Sequence, residues 1–324
     1  MKLDSDHTLI LPLVENKLDH VCLPLAINVI LNYWGEYDLE REAEDRSRKY
    51  EDIKGSIFIE GIEIAESHGF LAKIFKGNLQ ELKKKVDQGI PSIVIMPGLK
   101  ETIQHATVVT GYDPKENRII TYVPEPDTVG SIPEKKFLDL WEQDGTLAII
   151  IIPEDMNDTN NKDNINTDPS LRMCFEAERL LYIGRTTEAI DKLRKAIDIN
   201  KSNELAPDML GSIYNEIKSD EAKDYFEASI KLNPKFYLAY RGIGNYFLRK
   251  QKYLLAEKNY SSAISINPIR FGPIYKNRGI VRLKLDDNKG AMSDFTSYLD
   301  QCPNAHDKNN IELAIKELSS KILK

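Results

Sequence analysis

Cysteine is scarce in this chain: three residues in 324, at positions 22, 174 and 302, far apart and never spaced as CxxC. That count and spacing argue against a disulfide framework or a zinc cluster and fit a reducing cytoplasm. Long apolar runs are absent too, none approaching the roughly 18 residues a membrane helix needs, so no membrane partner is expected. The first residues lack the basic and apolar stretches of a secretory signal. Glycine (17) and proline (15) are too few for a collagen-like or low-complexity chain. Neither a Gly-rich strand–helix turn for a nucleotide nor a His/Cys/Asp spacing for a metal occurs, so no cofactor is expected. Basic charge is short in one half only. Residues 1–169 hold 18 Lys and Arg against 31 Asp and Glu, and residues 170–324 hold 26 against 20, within a net charge of −7. An acidic first half excludes nucleic acid as the main partner, because phosphate binding needs basic surface.

What remains is a globular composition, 41% hydrophobic and 29% charged, at a length that suggests two domains. The apolar strand Leu147–Ile152 is closed by Pro153, and residues 154–169 then carry one Ile, one Met and no aromatic. Such a stretch buries too little to order itself and reads as a flexible linker. The expected organisation is therefore a first domain over 1–153, a linker over 154–169 and a second domain over 170–324.

The second domain is built on an internal period. Ala189, Ala222, Ala256 and Ala291 each sit in a similar context, 33, 34 and 35 residues apart. Four residues after each stands Leu193, Phe226, Tyr260 or Phe295, and about twelve before each a small residue, Ala177, Gly211, Gly244 or Gly279. Pro234, Pro268 and Pro303 follow the last three, where the first has Lys201. This pattern resembles the tetratricopeptide repeat, a helix–turn–helix unit of about 34 residues. The resemblance implies an all-α solenoid of four units, closed by a capping helix over residues 311–323, with a groove for a protein partner. Arg241, Arg249, Lys250, Lys252, Lys276, Arg278, Arg282 and Lys284, interleaved with Tyr240, Tyr246, Phe247 and Tyr275, would suit an acidic peptide there. Ordinary solvated helix surface explains the same cations.

In the first domain, residues 22–34 read as one helix, with Pro24 in its first turn and Gly35 ending it. Only Asn28 and Asn32 are polar, so the helix should be buried. Cys22 then stands at the positive end of a helix dipole, which favours thiolate. Further helices are expected near 38–50 and 57–68. A strand is expected over 89–97, then a hairpin pairing 105–112 with 118–126. If its turn centres on Lys115, partners have numbers summing to 230 and His105 faces Glu125. A carboxylate beside a histidine fixes the imidazole tautomer and stabilises its protonated form. Of the other histidines, His68 suits a helix C-cap, His7 and His306 lie in polar surroundings, and His20 with Asp19 offers an alternative base or donor pair.

The Cys22-Leu23-Pro24-Leu25-Ala26 run, Asn32-Tyr33-Trp34-Gly35, the Gly89–Val94 strand, His105–Asp113, and Pro124-Glu125-Pro126 together resemble the bacteriocin-processing, double-glycine-leader type of cysteine peptidase. The match spans residues 8–153. It implies an α+β papain-like fold and a triad of Cys22 as nucleophile, His105 as base and Glu125 where the family usually has Asp. Asn16 stands where the family has its oxyanion-hole glutamine, and Leu23 replaces the usual glycine after the cysteine. Two function classes stay open: a cytoplasmic thiol peptidase acting on a peptide or protein recruited by the repeats, and a catalytically degenerate adaptor that binds peptides or proteins. Acyl transfer to an amine is a variant of the first.

Overall fold

The computed structural model of the chain describes residues 7–12, 22–37, 42, 58–98, 104–123, 128–157 and 167–322, with Cys22 described by its backbone alone. It forms two compact units, residues 1–96 with 105–203, and residues 204–324 with 97–104.

The Leu147–Ile152 run, apolar on both faces, needs cover on both, and it becomes an inner strand of a six-stranded sheet. The strands are β1 (Phe70–Lys76), β2 (Ser92–Pro97), β3 (Gln104–Asp113), β4 (Arg118–Val123), β5 (Thr128–Pro133) and β6 (Leu147–Pro153), in the order β1-β6-β2-β3-β4-β5. β6 runs antiparallel to β1 and β2, and β4 antiparallel to β3 and β5. Successive strand residues point to opposite faces. Ala148, Ile150 and Ile152 share a core with Leu82 and Val86 of α3 (Leu79–Asp87) and Phe137 and Trp141 of α4 (Glu134–Trp141). The Trp141 indole N–H donates to the Leu147 carbonyl at 2.9 Å, satisfying its one polar atom inside that core. Two further helices, α1 (Cys22–Tyr33) and α2 (Phe58–Ser67), pack on each other, α1 against β6 and α2 against β1.

The expected α1, β6 and hairpin are present. The helix expected near 38–50 lies outside the described residues, apart from a helical Glu42. β1, α3 and β5 are additions. Sequence signals for α3 are visible in retrospect, since Asn78 and Glu81 form a reciprocal capping box at its start.

The repeats fold as helix pairs α5/α6 (Pro169–Tyr182, Thr186–Ile199), α7/α8 (Leu205–Glu216, Glu221–Leu232), α9/α10 (Tyr237–Arg249, Tyr253–Ile266) and α11/α12 (Pro273–Lys284, Asn288–Gln301), followed by α13 (Lys308–Ile322). The small positions do what the spacing implies. A Cβ on Gly211 or Gly242 would come within 2.8 Å of the Phe226 ring, one on Gly244 within 2.6 Å of Tyr260, and one on Gly279 within 2.7 Å of Phe295.

The compact units part after Asn203, so α5, which packs on α2 and β1, and its partner α6 fall in the same unit as the sheet. Residues 158–166, the middle of the expected linker, lie outside the described residues. Beyond them Asp168 caps α5 through Ser170 and donates its own N–H to the Ile74 carbonyl of β1 at 2.8 Å. Across α2 and α5, Phe175 stacks on Phe58 at 4.8 Å, Arg172 grips Glu66 with two bonds of 2.6 and 2.8 Å, and Arg179 meets Glu63 at 2.7 Å. These ion pairs are about a third exposed, so the stacked aromatic pair contributes more of the docking than the charges do.

Candidate active site and repeat surface

Cys22 opens α1, and residues Leu23 to Leu31 behind it are all buried. Three contacts fix the helix. At its far end the Tyr33 hydroxyl donates to the Gly89 carbonyl at 3.0 Å, and the Trp34 indole N–H donates to the Ile151 carbonyl at 2.9 Å. Midway, the Ile27 Cδ1 lies 2.4 Å from where a Cβ of Gly61 would be, so α1 and α2 pack closely there. The helix behind Cys22 is thus held by packing, and the N–H groups of its first turn, which have no partner within the helix, supply a positive end. The side chain after the cysteine, Leu23, is 1% exposed and belongs to the core.

His105 is the second residue of β3, half-buried, with its Nε2 shielded from solvent. The hairpin register obeys the expected sum of 230 at Val108↔Tyr122 and Val109↔Thr121, then shifts by one across a bulge at Thr110. Of the expected site, Cys22 (by backbone) and His105 fall in the same compact unit. Glu125 and Asn16, with Asp19 and His20, lie outside the described residues. No group of three His, Cys, Asp or Glu with metal-binding geometry occurs among the described residues.

Sequence reasoning missed a cluster beside the bulge. The His7 ring stacks on Tyr112 at 4.4 Å, its Nδ1 lies 2.8 Å from Asp87 Oδ1, and the Tyr112 hydroxyl donates to the same carboxylate at 3.0 Å. Burial and then the Asp87 bond raise the Tyr112 pKa above the usual phenol value. Leu9 N–H donates to the Thr110 carbonyl at 2.7 Å, and a Cβ on Gly111 would lie 2.6 Å from the His7 carbonyl oxygen. Residues 7–9 are therefore strapped to β3, upstream of Asn16 and Cys22. The readable signal was Gly111 inside a β-branched strand, which marks close approach of another backbone. His68 also differs from expectation: beyond following α2, its ring is held by Glu42 at 3.0 Å, with Glu36 at 3.7 Å.

Most of the repeat cations expected to greet a peptide are already engaged. Lys276 pairs with Asp307 at 2.8 Å, and Arg278 grips Asp294 with bonds of 2.6 and 2.9 Å. Arg282 reaches Asp294 and Glu257, Lys250 pairs with Asp220, and Arg249 bonds to Asn215 and two backbone carbonyls. Arg282 through Glu257, Lys250 and Arg249 tie repeat to repeat, while Arg278 and Asp294 brace one helix pair.

Residues 11–149 match the model of the Peptidase_C39 like family. Among curated proteins, the chain is 26% identical over 130 residues to the cell division cycle protein 27 homolog of Caenorhabditis elegans, covering 40% of this chain and 16% of that protein. It is 30% identical over 108 residues to human tetratricopeptide repeat protein 6, covering 32% of this chain and 20% of that one. The chain thus spans a fifth or less of the length of these relatives. Among solved structures, Pseudomonas aeruginosa pilF superposes with a TM-score of 0.42 at 19% identity, covering 47% of this chain and 68% of its own. A MamA crystal structure superposes with a TM-score of 0.40 at 15% identity, covering 47% and 87%.

Proposed function

From a chain that carries a Peptidase_C39-like domain over residues 11–149 and tetratricopeptide-type repeats behind it, we propose a cytoplasmic thiol peptidase whose repeats recruit the peptide or protein it cleaves. The observation that carries this reading is Cys22 opening a rigidly packed helix in the same unit as a half-buried His105. In the proposed reaction the Cys22 thiolate adds to the scissile carbonyl. The oxyanion is held by the Cys22 N–H and the Asn16 amide, a kind of donor worth about 10²–10³ in rate. His105, oriented by Glu125, protonates the departing amine, and the C–N bond breaks to leave a thioester. Water, deprotonated by His105, then releases the acid and restores the thiolate. Buried free thiols at Cys174 and Cys302 support a reducing compartment.

The test is selective alkylation. The helix terminus and a nearby imidazole should hold the Cys22 thiol below its free pKa of about 8.5. At pH 6.5 iodoacetamide should label Cys22 well ahead of Cys174 and Cys302, and His105→Ala should slow it. Labelling of Cys22 that His105→Ala leaves unchanged would favour the adaptor reading, to which Leu23 and the shorter Asn16 amide lend support.

A further inference from the structure

The bulge in β3 has a use that the hairpin alone does not explain. Thr110 is its extra residue, facing no β4 residue in the register. Its carbonyl accepts the Leu9 N–H at 2.7 Å, and its Oγ1 donates to the Ile120 carbonyl at 3.4 Å. Thr8 forms an antiparallel bridge with Gly111 alongside. A Cβ on Gly111 would meet backbone there, the His7 carbonyl oxygen at 2.6 Å and the Thr8 Cα at 3.1 Å, so a side chain would lift the strap. Leu9 packs against the core that holds Tyr112 and Trp141, and Leu11 is 8% exposed where Ile10 between them is 89% exposed. At the front of the strap, His7 Nδ1 and the Tyr112 hydroxyl share one carboxylate, that of Asp87 at the end of α3. A carboxylate only accepts, so His7 Nδ1 carries a proton.

A single bridge adds little to a six-stranded sheet. What these contacts fix is the starting point and direction of the chain that follows. Because the bridge is antiparallel, the chain leaving Leu9 heads toward the His105 end of β3. Thr110 and His105 are five residues apart, about 17 Å along a strand. The seven residues from Leu9 to Asn16 reach at most about 25 Å, so a strap fixed at the bulge keeps Asn16 within range of that end. The same segment runs into Cys22, whose helix is fixed by packing and by Tyr33 and Trp34. It therefore starts and ends on firm supports. We propose that His7 is a positioning residue for the Cys22 reaction: through Asp87 and Tyr112 it holds the strap from which the Asn16 segment departs, and so sets how well the oxyanion is stabilised rather than how readily the thiolate forms. This deepens the peptidase reading above and rests on it. An oxyanion donor works only at hydrogen-bond distance, and a displacement of about 1 Å originating far from the chemistry can cost as much as 10²-fold in rate.

Two reagents, used on the full chain at one pH, separate these effects. Iodoacetamide alkylates a thiolate by displacing iodide at a saturated carbon, and no oxyanion develops. p-Nitrophenyl acetate reacts through one: the thiolate adds to the ester carbonyl, p-nitrophenolate departs without needing a proton, and acetyl-Cys22 remains. The parent should give a burst of p-nitrophenolate that Cys22→Ala abolishes. His7→Ala should slow that burst about tenfold, a part of the 10²–10³ that a lost oxyanion donor costs, and leave iodoacetamide labelling unchanged. His7→Asn, whose amide N–H stands in for Nδ1–H against Asp87, should recover most of the rate. Gly111→Ala, which lifts the strap through its backbone, should show the same split between reagents. Asn16→Ala should slow the burst further, and adding His7→Ala to it should change nothing more. If His7→Ala slows both reagents alike or neither, the positioning role falls while the burst keeps the peptidase reading. If His7→Ala and Asn16→Ala are additive, His7 acts by another route and the inference falls. A parent without a Cys22-dependent burst would overturn the peptidase reading, and this inference with it.

Discussion

Glu178, on α5, accepts a hydrogen bond from the Phe58 N–H at the start of α2, and burial pushes its carboxyl up to about 7 from an ordinary 4.5. A raised carboxyl pKa means the folded state holds the proton more tightly than the unfolded chain. The resulting stabilisation is complete below about pH 4.5 and is lost as pH rises through 7. Glu178→Gln keeps an acceptor for Phe58 and removes the titration. The melting temperature of the variant should therefore exceed that of the parent at pH 8 by more than at pH 5. An equal offset at both values would mean that Glu178 does not titrate there. At this scale the sequence was read unevenly. Cys22 and His105 are proposed from chemistry and context in the sequence, and they fall in one compact unit. The Tyr112–Asp87–His7 contact joins residues 25 and 80 positions apart, which no local pattern encodes.

Elements were legible where one period dominates. The 33–35-residue alanine spacing fixed every helix pair, because each unit buries the same small and large positions. The physical force behind that spacing is testable at Gly242, where a Cβ would sit 2.2 Å from the Phe226 ring. Gly242→Ala should destabilise the repeats by about 1–3 kcal/mol through overpacking. Gly130→Ala, on the exposed strand β5 with nothing within 4 Å, should be near neutral. Chemical denaturation of both variants decides it, and equal midpoints would contradict the packing argument. The sheet was less legible. β6 and the β3–β4 hairpin stood out as apolar or alternating runs, whereas β1 carries lysines at 73 and 76 and β5 is mostly exposed. An edge strand lacks the burial signature by which strands are recognised.

For the whole molecule, a composition break and a packing break need not coincide. Residues 154–169 hold little to bury, yet α5, directly after them, uses Phe175, Arg172 and Arg179 to dock on α2. Limited proteolysis is expected to cut within that stretch, but the two pieces should co-elute on a sizing column. A fragment ending at Asn157 should melt below one ending at Asn203, since it leaves Phe58 and the α2 glutamates without partners. Separate elution with unchanged melting would return the boundary to the linker. The same arrangement has a consequence for how such chains diversify. With the first helix pair retained as an adaptor, units added or exchanged after Asn203 leave the residues that dock on α2 untouched. Recombination at that junction would exchange the later repeats while sparing the sheet and the helix that docks on it, and a designer grafting new repeats onto this scaffold should splice there.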